Sequence, residues 1–380
     1  MRKIFTLLTA ACLAASIPAM ADDGYRLVWQ ENFNGDKLNT EVWNYEIGTG
    51  DGGWGNAELQ YYTPECATVA DGSLSITAIR ARKGAQQFIS ARLTTKDKMY
   101  FTHGKIEIRA WMPKTANGVW PALWGLGQSV GSVGWPRCSE IDFVEMGNAG
   151  GIQAGTQDRF FNGACHWGYY KDGGYPNYAR SVTAPYSMQD GYHLFTIVWD
   201  DEKISMYYDL DLDPNRAPYF EMGLTADSDD WGTKRYFHQP IFLVLNVAVG
   251  GRFTGILNPS GITALPEEGS MTTMKVDYIK IYQNDAASNT FFSTNGAGEP
   301  AAALDSPIAE RAFDVSYSAS SRAVVTTAPA DTIAIYDTQG HKVAECHGCS
   351  SLTLDAVQRG VYIAVATSAA GSASTKFAVR

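Results

Sequence analysis

Charge is scarce in this sequence: Asp, Glu, Lys and Arg together make up 18% of its 380 residues. A basic excess is missing altogether, because 30 Lys and Arg face 40 Asp and Glu, for a net charge of −10. A polyphosphate partner calls for the opposite sign, so nucleic-acid binding is set aside. Long apolar runs are equally rare. The one at residues 4–17 is too short to span a bilayer, and no other segment is apolar enough to do so. No long stretch carries apolar residues at helical spacing. Cysteine is sparse, with six residues in a chain far longer than a disulfide-stapled scaffold. What is present instead is 37 Gly, 10 Trp and 20 Tyr within 45% hydrophobic residues. That is enough apolar material for a sizeable core and excludes wholesale disorder. It is the composition of a β-protein that handles flat, uncharged, polar ligands.

The N-terminus reads as a leader. Arg2 and Lys3 precede the apolar stretch, and Ala19-Met20-Ala21 supplies small residues for cleavage after Ala21. This leader, residues 1–21, predicts a secreted or cell-surface protein. A competing reading is lipidation at Cys12, although Thr9-Ala10-Ala11-Cys12 lacks the usual Leu three residues before the Cys. Five cysteines remain beyond the leader, an odd number that cannot all pair internally. Cys346-His347-Gly348-Cys349 has no second pair to complete a zinc site, so a local disulfide is expected there.

Period-two alternation dominates the rest. Leu74, Ile76 and Ala78 alternate with polar residues after an Asp71-Gly72 turn, and Ile106, Ile108 and Ala110 do the same. Residues 193–199 and 204–208 flank Asp200-Asp201-Glu202-Lys203 as a hairpin. Residues 241–249 are apolar on both faces except at Asn246, as a strand inside a sandwich would be. Many short strands with Gly, Asn and Asp turns predict an all-β antiparallel sandwich. Residues 22–283 form this large domain. Residues 284–307, rich in Ala, Ser, Asn, Gly and Pro, read as a linker. Residues 308–380 read as a small immunoglobulin-like β-sandwich.

The most informative segment is Glu140-Ile141-Asp142-Phe143-Val144-Glu145. In a regular strand Glu140, Asp142 and Val144 share one face, and the third acid is displaced by one residue. A β-bulge between Asp142 and Glu145 would return Glu145 to the face of the other two. Retaining glycosidases need two carboxyl groups about 5–5.5 Å apart. Four effective strand steps separate the outer Cα atoms by roughly 13 Å, and two Glu side chains leaning inward close much of that gap. The competing account is a solvated strand face. The apolar neighbours Ile141, Phe143 and Val144 argue for a buried strand, where idle carboxylates would be costly.

With these residues in view, the sequence resembles the laminarinase-like branch of glycoside hydrolase family 16. The acid segment matches that family's bulged E-x-D-x-x-E signature. The stretch from Gly53 to Thr63, Gly-Trp-Gly-Asn-Ala-Glu-Leu-Gln-Tyr-Tyr-Thr, resembles a second family segment. Gly118-Val119-Trp120-Pro121-Ala122-Leu123-Trp124 and Leu245-Asn246-Val247-Ala248-Val249-Gly250-Gly251 match as well. The resemblance covers residues 25–283 and implies a β-jelly-roll sandwich with a long concave cleft. It implies Glu140 as nucleophile, Asp142 as its assistant and Glu145 as acid/base, hydrolysing internal β-glucosidic bonds with retention. Asn56, Arg92, Trp120, Trp124, Trp135, His166 and Asn246 fall at positions implied to bind sugar. For each Trp the competing account is core packing, for His166 a structural histidine, and for Asn246 a satisfied core amide.

The same resemblance requires no cofactor for catalysis. It offers a structural calcium on the convex face, at positions matching Glu31, Gly72 and Asp277. Two departures touch the specificity. Gly250-Gly251-Arg252-Phe253-Thr254-Gly255 lacks the family's usual Trp, and Cys138-Ser139 precedes the acids where small residues or Gly are common. They leave β-1,3-glucan, mixed-linkage β-1,3/1,4-glucan and a galactan open as substrates. Transglycosylation, or glucan binding without catalysis, would also be compatible with the resemblance. The chain is expected to be a monomer. Segments 335–343, 360–363 and 376–380 resemble the C-terminal sorting domain of type IX secretion, whose machinery would then be a partner.

Overall fold

Alternation in the sequence becomes alternation in burial. Leu74, Ile76 and Ala78 are buried in strand Ser73–Ile79, and Ile106, Ile108 and Ala110 in strand Gly104–Trp111, while their neighbours are partly exposed. The computed structural model describes residues 24–227, 230–298, 315–318, 322–337, 341–354, 357–368 and 371–379. The leader therefore lies outside the described residues. The chain divides into two units, residues 1–300 and 301–380.

The first unit is a sandwich of a ten-stranded and a nine-stranded sheet. Its core draws Ile108, Ile197 and Ile279 from one sheet and Leu123, Leu245 and Val247 from the other. The described strands pair antiparallel except that Gln60–Tyr62 lies parallel to Phe88–Ser90, and the isolated bridge of Gln30 to Gly298 is parallel as well. The resulting all-β jelly roll is the fold that the sequence motifs imply.

Six strands of the nine-stranded sheet matter for function: β1 (Arg92–Thr94), β2 (Val119–Gly127), β3 (Glu140–Met146), β4 (Phe160–His166), β5 (Asn177–Thr183) and β6 (Ile241–Val249). Across the sheet they run β5-β4-β3-β2-β6-β1. Every residue of β2 and β6 is buried. One face of each packs into the sandwich core. On the other face Ala122, Trp124 and Leu126 gather with Phe242, Val244 and Cys138 in a separate apolar cluster.

Strand β3 carries the bulge. Asp142 pairs with Ala164 and Glu145 with Asn162, so three steps along β3 oppose two along β4. The register against β2 shifts at the same place, with Asp142 opposite Trp124 and Val144 opposite Leu123. Phe143 and Val144 consequently both enter the core. A bulge strands a backbone group that the ladder cannot satisfy. Here the Tyr219 hydroxyl donates to the Phe143 carbonyl. Gly163 lies opposite, where a Cβ would come within 2.6 Å of Met206 Sδ and 3.3 Å of the Asp142 carbonyl. A bare backbone is needed for that approach.

One expectation is corrected. Residues 284–298 are not a linker but part of the first unit. Thr290–Ser293 pairs with Met99–Thr102, Gly298 bridges to Gln30, and Asn295 accepts from the Trp29 indole at 3.2 Å. The small polar residues that suggest spacer material serve as hydrogen-bonding groups in tight turns. The remaining linker residues, 299–307, lie outside the described residues. In the second unit the described strands form one five-stranded antiparallel sheet, Val315–Ser318, Ala323–Asp337, Lys342–Thr353, Gly360–Ser368 and Gly371–Val379. This unit is all-β, with its own core of Val324, Ile333, Ile335, Leu354 and Ala364. Cys346 and Cys349 are joined within Lys342–Thr353, while Cys66, Cys138 and Cys165 are free and buried.

Replacing Tyr219 by Phe keeps its ring against Phe161 but leaves the Phe143 carbonyl without its donor. The expected loss is about 1–3 kcal/mol, read from urea unfolding with an unchanged m-value.

Candidate active site

Pairing across the sheet sets the acids in three successive rungs. Glu145 lies in a row with Asn162 on one side and Ala122, Asn246 and Arg92 on the other. Asp142 lies with Ala164, Trp124 and Val244. Glu140 lies with His166, Leu126 and Phe242. The bulge thus places all three acids on the concave face, as the spacing predicts. The small side chains of Ala122 and Ala164 beside them leave room for a ligand.

Each carboxylate has a defined set of neighbours. Glu145 accepts from Trp120 Nε1 at 3.0 Å and from Asn162 Nδ2 at 2.9 Å. Glu140 accepts from Trp135 Nε1 at 3.2 Å. His166 Nε2 is 3.3 Å from Asp142, and its Nδ1 is 3.2 Å from the Tyr175 hydroxyl. Burial pushes each of the three carboxyls up to about 8. The negative Asp142 raises Glu140 and Glu145 further, whereas His166 draws both back and Arg92 draws Glu140 back. Charges at this spacing repel one another, which raises the proton affinity of the trio.

Around this centre the residues expected to bind sugar have defined partners. The Arg92 guanidinium pairs with Glu46 and lies 4.5 and 4.8 Å from the ring centroids of Trp54 and Trp124. Asn246 is the satisfied amide: it accepts from Trp124 Nε1 at 2.8 Å and donates to the Tyr62 hydroxyl at 3.1 Å. Tyr62 in turn donates to the buried Glu58 carboxylate at 3.0 Å. Trp120 and Trp124 share a face but are only 9% exposed, and Phe253 stacks on Trp120 with centroids 4.6 Å apart. Both rings are packed rather than open, because Phe253 and Arg92 cover them. Trp135 is 39% exposed and fits an open platform. His166 lies in the Glu140 rung. The Asn56 side chain is turned to Glu58, and its carbonyl accepts from Arg252 N at 2.8 Å.

Sequence reasoning missed Trp54, Asn162, Tyr170, Tyr175 and Tyr219, and did not foresee that Phe253 supplies a ring where the usual Trp is absent. Tyr170 and Tyr175 surround Trp135 with ring centroids at 6.0 and 4.8 Å. Aromatic residues in the Gly-rich stretch 168–176 were the available signal for these two. For Asn162 and Tyr219 there was none short of the strand pairing.

Of the residues offered for calcium, Glu31 accepts hydrogen bonds on both carboxylate oxygens, from Phe33 N and Trp43 Nε1, and Asp277 is paired with Arg109. A cation there would be held chiefly by backbone carbonyls.

A concave jelly-roll face with converging buried carboxyls defines a glycoside hydrolase. Comparison with known proteins narrows the class. Residues 23–140 match a family model described as beta-glucan synthesis-associated protein SKN1/KRE6/Sbg1. A beta-glucanase of Rhodothermus marinus is 33% identical over 273 residues, covering 68% of this chain and 85% of the relative. A glucan endo-1,3-beta-glucosidase A1 of Niallia circulans is 33% identical over 295 residues, and this chain spans 39% of its length. A Bacteroides ovatus family 16 structure, from a mixed-linkage glucan locus and holding a G4G4G3G product, superposes with a TM-score of 0.57 at 31% identity, covering 67% of this chain and 99% of that one. This chain belongs to glycoside hydrolase family 16.

Carboxyls held above their ordinary range favour the protonated form in the fold. Their stabilising contribution is complete below the ordinary carboxylate range and is lost as pH rises through about 8. An Asp142→Asn chain lacks one of these charges. At pH 9 its thermal midpoint is expected to exceed that of the parent by roughly 2–4 °C, the equivalent of about 1 kcal/mol in a chain of this size. At pH 4 the two should coincide.

Proposed function

We propose that this chain is a retaining endo-β-glucanase that cleaves internal bonds of β-1,3-glucan, of mixed-linkage β-1,3/1,4-glucan, or of both. The observation that carries the reading is the bulge at Phe143 and Val144, which returns Glu145 to the face of Glu140 and Asp142. The names of the Niallia and Bacteroides relatives support glucan as the substrate class.

In this reading a carboxylate oxygen of Glu140 attacks the anomeric carbon. Glu145 gives its proton to the departing glycosidic oxygen, so the glycosidic bond breaks as the ester bond to Glu140 forms. Glu145, now a carboxylate, takes a proton from water. The water oxygen attacks the same carbon and releases Glu140. Two inversions give net retention. Trp120 and Asn162 donate to the carboxylate form of Glu145, and they hold it in place when it acts as base. Trp135 holds Glu140. Asp142 raises the proton affinity of Glu140 and Glu145, and His166 Nε2 lies 3.3 Å from it. Trp135, Tyr170 and Tyr175 offer ring faces to sugar C–H bonds.

Reducing-sugar release from laminarin and from barley mixed-linkage glucan tests the reading, with Glu140→Gln as the blank. The parent is expected to act on at least one polymer and to release the β-anomer first, followed by NMR. Glu140→Gln is expected to lose on the order of 10⁴-fold or more in kcat. A fully active Glu140→Gln, or initial release of the α-anomer, overturns the assignment. Activity on neither glucan, with activity on a galactan, would move the substrate and keep the chemistry.

We propose further that the chain is exported, with cleavage after Ala21 and with the C-terminal unit as a sorting signal. The support is the basic and apolar leader and the resemblance of segments 335–343, 360–363 and 376–380. Intact-mass analysis of the secreted protein should show a mature N-terminus at Asp22. A chain ending at residue 300 should be retained inside the outer membrane of a host that has the sorting machinery.

A further inference from the structure

A second cluster of ionisable side chains lies apart from the acids. His103 joins strand Met99–Thr102 to strand Gly104–Trp111, Asp201 sits in the turn between His193–Trp199 and Lys203–Tyr208, and His238 precedes β6. None of the three lies on β3 or bonds to a residue that touches the acids.

The cluster has the chemistry of a ligand set. His103 Nε2 and His238 Nδ1 share a hydrogen bond at 2.9 Å. The other His103 nitrogen, Nδ1, is 3.7 Å from Asp201 Oδ1, which is also 3.9 Å from His238 Nδ1. One donor atom from each residue lies within 4.8 Å of the others. A tetrahedral ion with ligand bonds of about 2.0–2.1 Å sets its donors about 3.3 Å apart, so an ion held by His103 Nδ1 would draw these groups together. The two distances to Asp201 are too long for hydrogen bonds.

Three further observations point to a ligand. His103 is 1% exposed, and its Nδ1 makes no hydrogen bond of good geometry, with the Phe237 backbone as its polar neighbour. Its backbone is held at φ 60°, a region that residues with a Cβ seldom occupy. Asp201 is oriented from behind, since Ser288 Oγ donates to its Oδ2 at 2.7 Å and leaves Oδ1 facing the imidazoles. That is the arrangement in which an outer hydrogen bond fixes a ligating carboxylate. A cavity of about 350 Å³ opens at Asp201 and His238 and gives an ion a way in. Lys234 in its lining lies 3.6 Å from Asp227, which offsets its charge.

We propose that His103, Asp201 and His238 bind a divalent transition-metal ion of the zinc class, with the fourth position open to this cavity. Imidazole nitrogens select such an ion over calcium or magnesium. The ion would fasten two strand junctions and a turn at one place, so its role is structural.

Untagged full-length chain, stripped with a chelator, is dialysed against Zn²⁺ and separately against Co²⁺. One equivalent of metal per chain is expected, with visible ligand-field bands from Co²⁺ and a Zn²⁺-dependent rise in thermal midpoint. His238→Gln and Asp201→Asn, both at partly exposed positions, should each weaken binding at least tenfold. Ser288→Ala should weaken it about tenfold by releasing Asp201. Asp142→Asn should bind as the parent does. Failure to take up one equivalent overturns the proposal, as does uptake unchanged in both His238→Gln and Asp201→Asn. Uptake lost in Asp142→Asn would place the ion among Glu140, Asp142 and His166 instead, and would also overturn it.

Discussion

A β-strand shows a given face at every second residue, so acids at positions 140, 142 and 145 can share a face only if two consecutive residues turn inward. Phe143 and Val144 do so. The rest of the concave face is arranged around that exception. Gly163 gives the bulge space, Tyr219 satisfies its stranded carbonyl, and the shifted register brings Ala122 and Asn162 beside Glu145. Both bulged residues are large and apolar, so the sandwich core gains contacts where the ladder loses a rung. Local irregularity at the site is stabilised by regular packing beneath it.

Electrostatics follow from the same placement. Three carboxyls on adjacent rungs, walled by Trp120, Trp124 and Trp135, have little water to spread their charge. Their proton affinity rises with burial. The tryptophans near the acids do more than pack. Trp120 and Trp135 each turn an indole N–H onto a different Glu, and Trp124 turns its own onto Asn246. Ring faces close the site while ring nitrogens orient it.

How much of this was legible beforehand depended on the range of each interaction. Strands such as Ser73–Ile79 were readable because burial of one face writes itself into neighbouring residues. The bulge was readable because its three acids fall within six residues of one strand. Asn246 stood out as the polar residue of β6, but its partners Trp124 and Tyr62 lie 122 and 184 residues away. Nothing local to Arg92 reveals that Glu46, Trp54 and Trp124 lie against it. Exposure of a given Trp was unreadable for a similar reason. Trp120 is covered by Phe253, a contact made only when the Gly250-Gly251 turn folds back over β2.

The return of residues 284–298 onto the sandwich has a bearing on aggregation. Thr290–Ser293 covers the outer side of Met99–Thr102, and Phe292 stacks on Tyr100 at 4.9 Å. Without that cover, Met99–Thr102 would present a free row of backbone donors and acceptors flanked by aromatic rings, a template for another chain. The segment therefore works as a guard rail on a sheet margin. A chain trimmed after Gln283 would keep every group of the acid site yet be prone to stick to copies of itself, whereas one trimmed after Gly298 would keep its margin closed.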